Sequence, residues 1–349
     1  MSSRAGSANA EYVNARVRSR RAGLYGEESY RRLLRTSPAE IAREMEETSY
    51  EREINELGSR FGGVDLIEYA LNRNLARQFG DLLGWAEGEL YDLLVRYLRK
   101  FDAWNVKTLL RGVYSGTPAE EVRIDTIRAG ELDDTLLNRL ADAGSVEEIV
   151  DGLSDTLFGD ALAGAFEDYE DAGLLVPLEN AVDRAYYELL TAELGSSEEL
   201  AEYRRYLRAE IDFRNAINAF RLARSGAELD PAAYFIAGGE LFSRRDVQRL
   251  AGNVDELVEY IRESTYGEDL STALDELAAA DSLVGFERAL EAAQVEYADA
   301  LGTIYPLSVT PVVAFILSKE REVDNIRAIA RGKEAGLDPD EIERELVIL

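Results

Sequence analysis

The chain has 349 residues, 46% hydrophobic and 31% charged, with a formal net charge of −29 and neither Cys nor His. That is enough chain for two or three units with cores of their own, while the missing side chains exclude thiol nucleophiles, disulfides, Fe–S clusters, imidazole bases and Cys or His metal ligands. The acidity speaks against nucleic-acid binding, which needs a basic face to displace counterions, and against adsorption to anionic lipid; it fits a protein working at molar salt, where a Debye length of about 3 Å screens self-repulsion.

In chain order, "MSSRAGSANAEYVNARVRSRR" opens without an apolar h-region. No secretory signal is expected, and the protein should stay in the cytoplasm. "TSPAEIAREM" at 36–45 sets Ser37 before a Pro at the first helical position and Glu40 three residues on, a capping box. Residues 64–101 carry a helical stripe of Leu66, Ala70, Leu71, Leu75, Phe79, Leu82 and Leu83. The stretch 97–116 also reads as helix, although Asn105 competes with the backbone for hydrogen bonds. "GSVEEIVDGL" at 144–153 and "GNVDELVEYI" at 252–261 repeat the capped design. "IYPLSVTPVVAFIL" at 304–317 is about two-thirds of the roughly 20 residues a bilayer span needs. Interrupted by Pro306 and Pro311, it reads as core, and no direct bilayer insertion is expected. Helix formers dominate throughout and alternating runs with hairpin turn pairs are absent, so the predicted fold is all-α.

The Asn belongs to a pattern. Of twelve Asn residues, four have an acid three before and an Arg six after: Glu11/Asn14/Arg20, Asp102/Asn105/Arg111, Asp212/Asn215/Arg221 and Glu322/Asn325/Arg331. The chain's own frequencies give about 0.2 by chance, so the pattern is an internal repeat. The last three copies are equally spaced along the chain, each with a Gly five beyond the Arg: Gly116, Gly226 and Gly336. Upstream lie "IEYALNR" from Ile67, "LENAVDR" from Leu178 and "FERALEA" from Phe286. Downstream lie "AGEL" at 129–132 and "GGEL" at 238–241, then a capped helix ending in "LFGDAL" at 157–162 or "YGEDL" at 266–270. The N-terminal copy lacks the upstream helix and the C-terminal copy stops after its motif. The expected organisation is therefore 61–170, 171–281, and a third, permuted unit of 282–349 with 1–60, arranged as a funnel or ring of approximate threefold symmetry; an open superhelical stack would fit the same repeats.

On a wheel of 100° per residue, the positions one, four and five after each Asn share an apolar face with the Asn at its edge. A boundary Asn of this kind pins a neighbouring helix, while the acid and Arg reach further; such fixtures specify packing more than they stabilise it. The twelve motif residues are accordingly packing or interaction candidates. No catalytic, cofactor or metal residue is assigned. Adjacent acids such as Asp133/Asp134, Glu120/Glu121 and Glu147/Glu148 point about 100° apart and suit first-turn positions better than a metal.

"YVNARVRSRRAGL" at 12–24, "YLRKFDAWNVKTLLRG" at 97–112 and "IYPLSVTPVVAFILSKEREVDNIRAIARGK" at 304–333 resemble the C subunit of the archaeal A-type ATP synthases, the counterpart of the d subunit in vacuolar-type ATPases. The resemblance runs from about residue 11 to the end. Its most specific part is Lys319-Glu320, Glu322, Asn325-Ile326-Arg327 and Ala330-Arg331-Gly332-Lys333; the acidity and missing His match a halophilic archaeal member. The resemblance implies a non-catalytic rotor component without cofactors, one copy per complex, peripheral on the cytoplasmic face of the membrane. It would couple central-stalk subunits of the D and F type to the proteolipid ring, linking ATP turnover to ion transport. Two readings from other classes remain: a helical-repeat scaffold for other proteins, which the period alone would support, and a carboxylate-based hydrolase or metal enzyme, which the abundance of acids would allow; for the net charge, the plainer reading is an acidic protein that binds a basic partner.

Overall fold

The computed structural model describes residues 9–192, 194, 200–225, 230–268, 271, 274–275 and 283–347, without the side chains of 223–225, 283–289 and 291. Gly226, the end of "YGEDL" and most side chains of "FERALEA" lie outside the described residues. Every regular element among the described residues is helical, as the composition predicts. The chain divides into two compact units, Met1–Leu189 with Phe315–Arg344, and Leu190–Ala314 with Glu345–Leu349.

The first unit opens with α1 (Ala10–Arg21), α2 (Glu27–Leu33), α3 (Pro38–Met45) and α4 (Glu51–Leu57). The capping box at Ser37 forms: its hydroxyl accepts from the Glu40 amide while the Glu40 carboxylate accepts from the Ser37 amide. Next comes α5 (Gly63–Trp85), which buries Ile67, Ala70, Leu71, Leu75, Phe79 and Leu82 and packs on α3 and α4. Extended backbone at Ala86 and Glu87, then Gly88 at φ +58°, separates α5 from α6 (Gly88–Leu98). A one-residue break at Arg99 starts α7 (Lys100–Ser115), so the stretch 97–116 is not one continuous helix. α8 (Ala119–Asp125), α9 (Asp134–Ala141), α10 (Val146–Gly152), α11 (Gly159–Ala172) and α12 (Val176–Thr191) follow.

Helix α7 stops at Gly116, whose φ of +72° suits a residue without Cβ; the Thr117 amide donates back to the Gly112 carbonyl at 2.9 Å. Gly336 ends its own helix the same way at φ +74°, with the Leu337 amide on the Gly332 carbonyl at 2.9 Å. Two of the three repeated glycines, Gly116 and Gly336, thus mark helix stops.

The second unit contains α13 (Ala201–Ser225), a 3-10 turn at Pro231–Tyr234, α14 (Arg244–Leu250), α15 (Val254–Arg262) and α16 (Leu283–Ile304). Its core joins Phe213, Phe220, Phe242, Val247, Leu250, Leu257, Ile261 and Leu290. α17 (Thr310–Glu334) and α18 (Pro339–Glu343) complete the chain. The apolar stretch 304–317 divides: Val309 and Val312 to Leu317 are buried, but Ile304, Tyr305 and Leu307 are exposed. The difference from the expected core lies at Pro306, where the chain turns between two helices and a corner has solvent outside it.

Candidate functional site

Three of the four repeated acids, Asp102, Asp212 and Glu322, are buried and hold backbone. Asp102 on α7 accepts the amides of Glu131 at 2.8 Å and Leu132 at 2.9 Å, the last two residues of "AGEL". Asp212 on α13 accepts those of Glu240 at 2.9 Å and Leu241 at 3.0 Å, the same two residues of "GGEL". A Cβ added to Gly130 or Gly239 would stand 2.1 Å from the acid's Oδ1, so only glycine lets the connector lie against the carboxylate. Glu322 on α17 accepts the Tyr25 amide at 2.6 Å. Tyr25 closes "AGLY", a connector of the same length as the other two, although it lies at the opposite end of the chain from Glu322.

A short turn repeats three times, and two of its aromatics meet an acid. Thr48, Thr156 and Ser264 donate their hydroxyls three residues back, to Met45, Leu153 and Ile261, and accept the amides of Tyr50, Phe158 and Tyr266 two residues on. Those three aromatics are evenly spaced along the chain. The Tyr266 hydroxyl donates to Asp212 at 3.2 Å and the Tyr50 hydroxyl to Glu322 at 2.7 Å, whereas Phe158 has no hydroxyl to offer Asp102. Tyr50 is absent from the residues that the repeat motif singles out; its register with Phe158 and Tyr266, equal to that of the caps Ser37, Ser145 and Asn253, was the available signal.

Burial sets the electrostatics. It pushes the Asp102 carboxyl up to about 6 against the lowering pull of its two amide donors, and it raises Asp212 as well. Glu322 is instead paired with Lys319, which donates to it at 2.6 Å and to the Tyr50 hydroxyl at 2.8 Å, with both charged side chains almost wholly buried. Burial lowers Lys319 from the usual ammonium range, the Glu322 charge opposing that shift. Burial also pushes the hydroxyl of Tyr25 up to about 12.

Two of the four Asn residues clasp backbone as another strand of backbone would. Asn105 donates to the Ile127 carbonyl and accepts the Ile127 amide, both at 2.8 Å; Asn215 does the same with Ile236, also at 2.8 Å. For these two the partner is the segment leading into the connector. Asn325 hydrogen-bonds the Tyr30 hydroxyl, and Asn14 is buried on the inner side of α1.

The arginines reach the upstream runs. Arg111 pairs with Glu179 of "LENAVDR", and Arg331 pairs with Glu68 of "IEYALNR" and with Asp125 at 3.0 Å. Arg20 pairs with Asp81 at 2.6 Å and with Gln78. Arg221 and Glu11 are exposed, Glu11 being the one motif acid that is not buried. The motif residues described in each unit thus form fixtures of acid, connector amides, aromatic turn or Asn clasp. Chemically they hold loops and helices in register. Among the described residues no cluster of three acidic side chains could hold a metal ion, and no helix is long and apolar enough to cross a membrane.

A family model described as ATP synthase (C/AC39) subunit matches residues 13–345. The C subunit of the A-type ATP synthase of Haloferax volcanii is 67% identical over 344 residues, covering 99% of both chains. That of Halobacterium salinarum is 56% identical over 353 residues, 99% of this chain and 100% of the relative. The corresponding protein of Methanosarcina mazei is 35% identical over 352 residues, 99% of this chain and 94% of the relative.

Proposed function

The chain belongs to the ATP synthase (C/AC39) subunit family, and from that premise we propose that it is the non-catalytic rotor adapter between central stalk and membrane ring. The observation that carries the reading is the match to A-type C subunits along the whole chain. In this reading one copy sits on the proteolipid ring at the cytoplasmic face of the membrane and receives the lower end of the D- and F-type stalk subunits. Torque from ATP hydrolysis, or from ion flow during synthesis, passes through it. A torque coupler must be stiff, and buried fixtures that tie each helix to the backbone of a distant loop resist shear, because packed interiors deform little.

The proposal includes a closed set of three similar units, residues 61–170, 171–281, and 282–349 with 1–60. Two contacts support it. Glu322 takes its connector amide and its aromatic hydroxyl from Tyr25 and Tyr50 of the N-terminal segment. Arg111 pairs with Glu179 of the next upstream run, and Arg331, last in the chain, pairs with Glu68 of the first run. Small repeated units joined in this sense form a funnel wall around an axle.

The test is deletion of the gene in a halophilic host, followed by paired assays on inverted membranes. ATP hydrolysis by the catalytic head should persist while ATP-driven ion pumping disappears, and plasmid-borne wild-type chain should restore pumping. Pumping that survives the deletion would refute the torque role.

A further inference from the structure

Although the chain is 31% charged, residues 300–318, between Asp299 and Lys319, carry no charge at all. Much of that run is core, but its early part is a corner in solvent. α16 ends at Ile304, α17 begins at Thr310, and residues 303–307 at the turn are all exposed. Ile304 is 64% exposed, Leu307 57% and Tyr305 44%, and no other stretch among the described residues sets three large apolar side chains so close together in solvent.

The corner is held by its own bonds. Gly302 lets the two helices meet, since a Cβ there would stand 3.2 Å from the Pro311 Cα. The Tyr305 amide donates to the Leu301 carbonyl at 2.9 Å, and the Ser308 amide and hydroxyl donate to the Tyr305 carbonyl at 3.1 and 2.9 Å. The Thr303 hydroxyl donates to the Asp299 carbonyl at 3.0 Å, and Pro306 has no amide hydrogen to satisfy. These polar groups bond within the chain, while the apolar side chains of Ile304, Tyr305 and Leu307 are left outside.

The matching corner of the first unit differs. Trp85 follows Ile67 at the distance at which Ile304 follows Phe286. There the Asn9 side chain donates to the Trp85 carbonyl at 2.8 Å and accepts the Glu87 amide at 3.0 Å, and Arg16 and Arg20 lie 4.7 and 4.4 Å from the Trp85 ring centroid. That corner is covered from α1 and carries Glu87. The corner at 304–308 is exposed and uncharged.

Area and chemistry point to what covers it. Three side chains about half exposed present on the order of 300 Å² of apolar surface, well short of the ~800 Å² per partner that a standard protein interface buries, and they lack its polar rim. Entry into the headgroup–acyl boundary of a membrane instead scales with whatever apolar area is buried, and is barred chiefly by charge and by unsatisfied polar groups. Tyr suits that boundary, with its ring in the apolar zone and its hydroxyl in the wet one. An anionic leaflet repels the rest of so acidic a chain, so an uncharged corner is the part that can approach one.

We propose that the corner between α16 and α17 is a lipid contact, with Ile304, Tyr305 and Leu307 entering the headgroup–acyl boundary of the membrane beside which the chain works. The contact is shallow and is not a span. It goes beyond the rotor reading and needs from it only the location at a membrane.

The test uses the purified full-length chain with vesicles of about 3:1 phosphatidylcholine to phosphatidylglycerol in about 2 M KCl, where surface repulsion is screened. Ile304→Glu/Leu307→Glu should weaken vesicle binding at least about tenfold, whereas Leu174→Glu, which charges an exposed apolar residue elsewhere, should leave it unchanged. Ile304→Ser/Leu307→Ser removes the apolar area without adding charge and should also weaken binding. Because the replaced side chains are exposed, both double variants should melt with the wild-type chain, which separates lost contact from lost folding. In Tyr305→Trp, lipids brominated near the headgroup end of their acyl chains should quench emission beyond what they do to Trp85 and Trp104 of the wild-type chain. No binding by the wild-type chain, or equal binding by it and both double variants, would overturn the proposal. So would benzoylphenylalanine in place of Leu307 that, in native membranes, links to another protein and not to lipid, an outcome that assigns the corner to a protein partner. The vesicle assay uses no other subunit, so a wild-type chain missing from the purified synthase would strike the rotor reading and leave the lipid result standing.

Discussion

Asp102 titrates in an unusual place for a carboxyl. An ordinary Asp gives up its proton near pH 4, whereas burial holds the Asp102 proton to about 6. The folded chain therefore binds more protons than the unfolded chain between those values. Stability from this group is fully present below about pH 4 and is lost as pH rises through about 6. A carboxyl carbon titration by NMR should place the Asp102 midpoint near 6, and Asp102→Asn should flatten that part of a pH series of urea midpoints. An unchanged slope would assign it to other groups. Lys319 and Glu322 present the opposite case, a buried pair in which each charge satisfies the other. Lys319→Met should cost about 3–5 kcal/mol by stranding the carboxylate, and adding Glu322→Gln should recover at least half of that. Equal losses in the single and double variants, measured by denaturant unfolding, would mean that the pair is not coupled.

Among the elements, the connectors are the most sensitive to a single methyl group. Gly130→Ala or Gly239→Ala forces a Cβ into the carboxylate of Asp102 or Asp212 and should cost about 1–3 kcal/mol through displaced packing. Gly116→Ala meets open space and suffers only from its left-handed backbone, so about 1 kcal/mol is expected. Thermal melts of the three variants should rank them in that order. Helix caps were legible because a cap is local chemistry: Ser37, Ser145 and Asn253 were each read from the residues beside them and each accepts the predicted amide. The role of Gly130 was not legible, since its constraint comes from Asp102, on a helix that α8 separates from it in the chain.

At the scale of the whole molecule, the segment 1–60 is expected to act as a separable partner for the rest. This N-terminal segment supplies Glu322 with the Tyr25 amide and the Tyr50 hydroxyl and lays α3 and α4 on α5. Residues 1–60 and 61–349, coexpressed as two chains cut in the exposed connection before α5, should copurify, and 61–349 alone should melt lower. Failure to associate would remove the support for a permuted third unit. Net charge acts on the molecule as a whole. Raising KCl from about 0.2 M to about 2 M shortens the screening length several-fold, so the unfolding temperature should climb with salt. A flat response would show that self-repulsion of the 29 excess negative charges contributes little.

By itself the sequence determined the helical class, the capped helix starts at Ser37, Ser145 and Asn253, the repeated acid–Asn–Arg pattern and the family, because periodicity, capping and the even spacing of the copies are carried by residues in fixed register along the chain. Only the tertiary structure decided what the pattern does. It showed that Asp102 and Asp212 hold the connectors, that Asn105 and Asn215 clasp backbone, and that Glu322 completes its fixture with Tyr25 and Tyr50 from the opposite end of the chain. It also separated Glu11, exposed on α1, from the three buried acids that share its motif. The physical reason is that a side chain's identity sets which bonds it can make, whereas burial and the nearby backbone, brought from distant parts of the chain, set which bonds it does make.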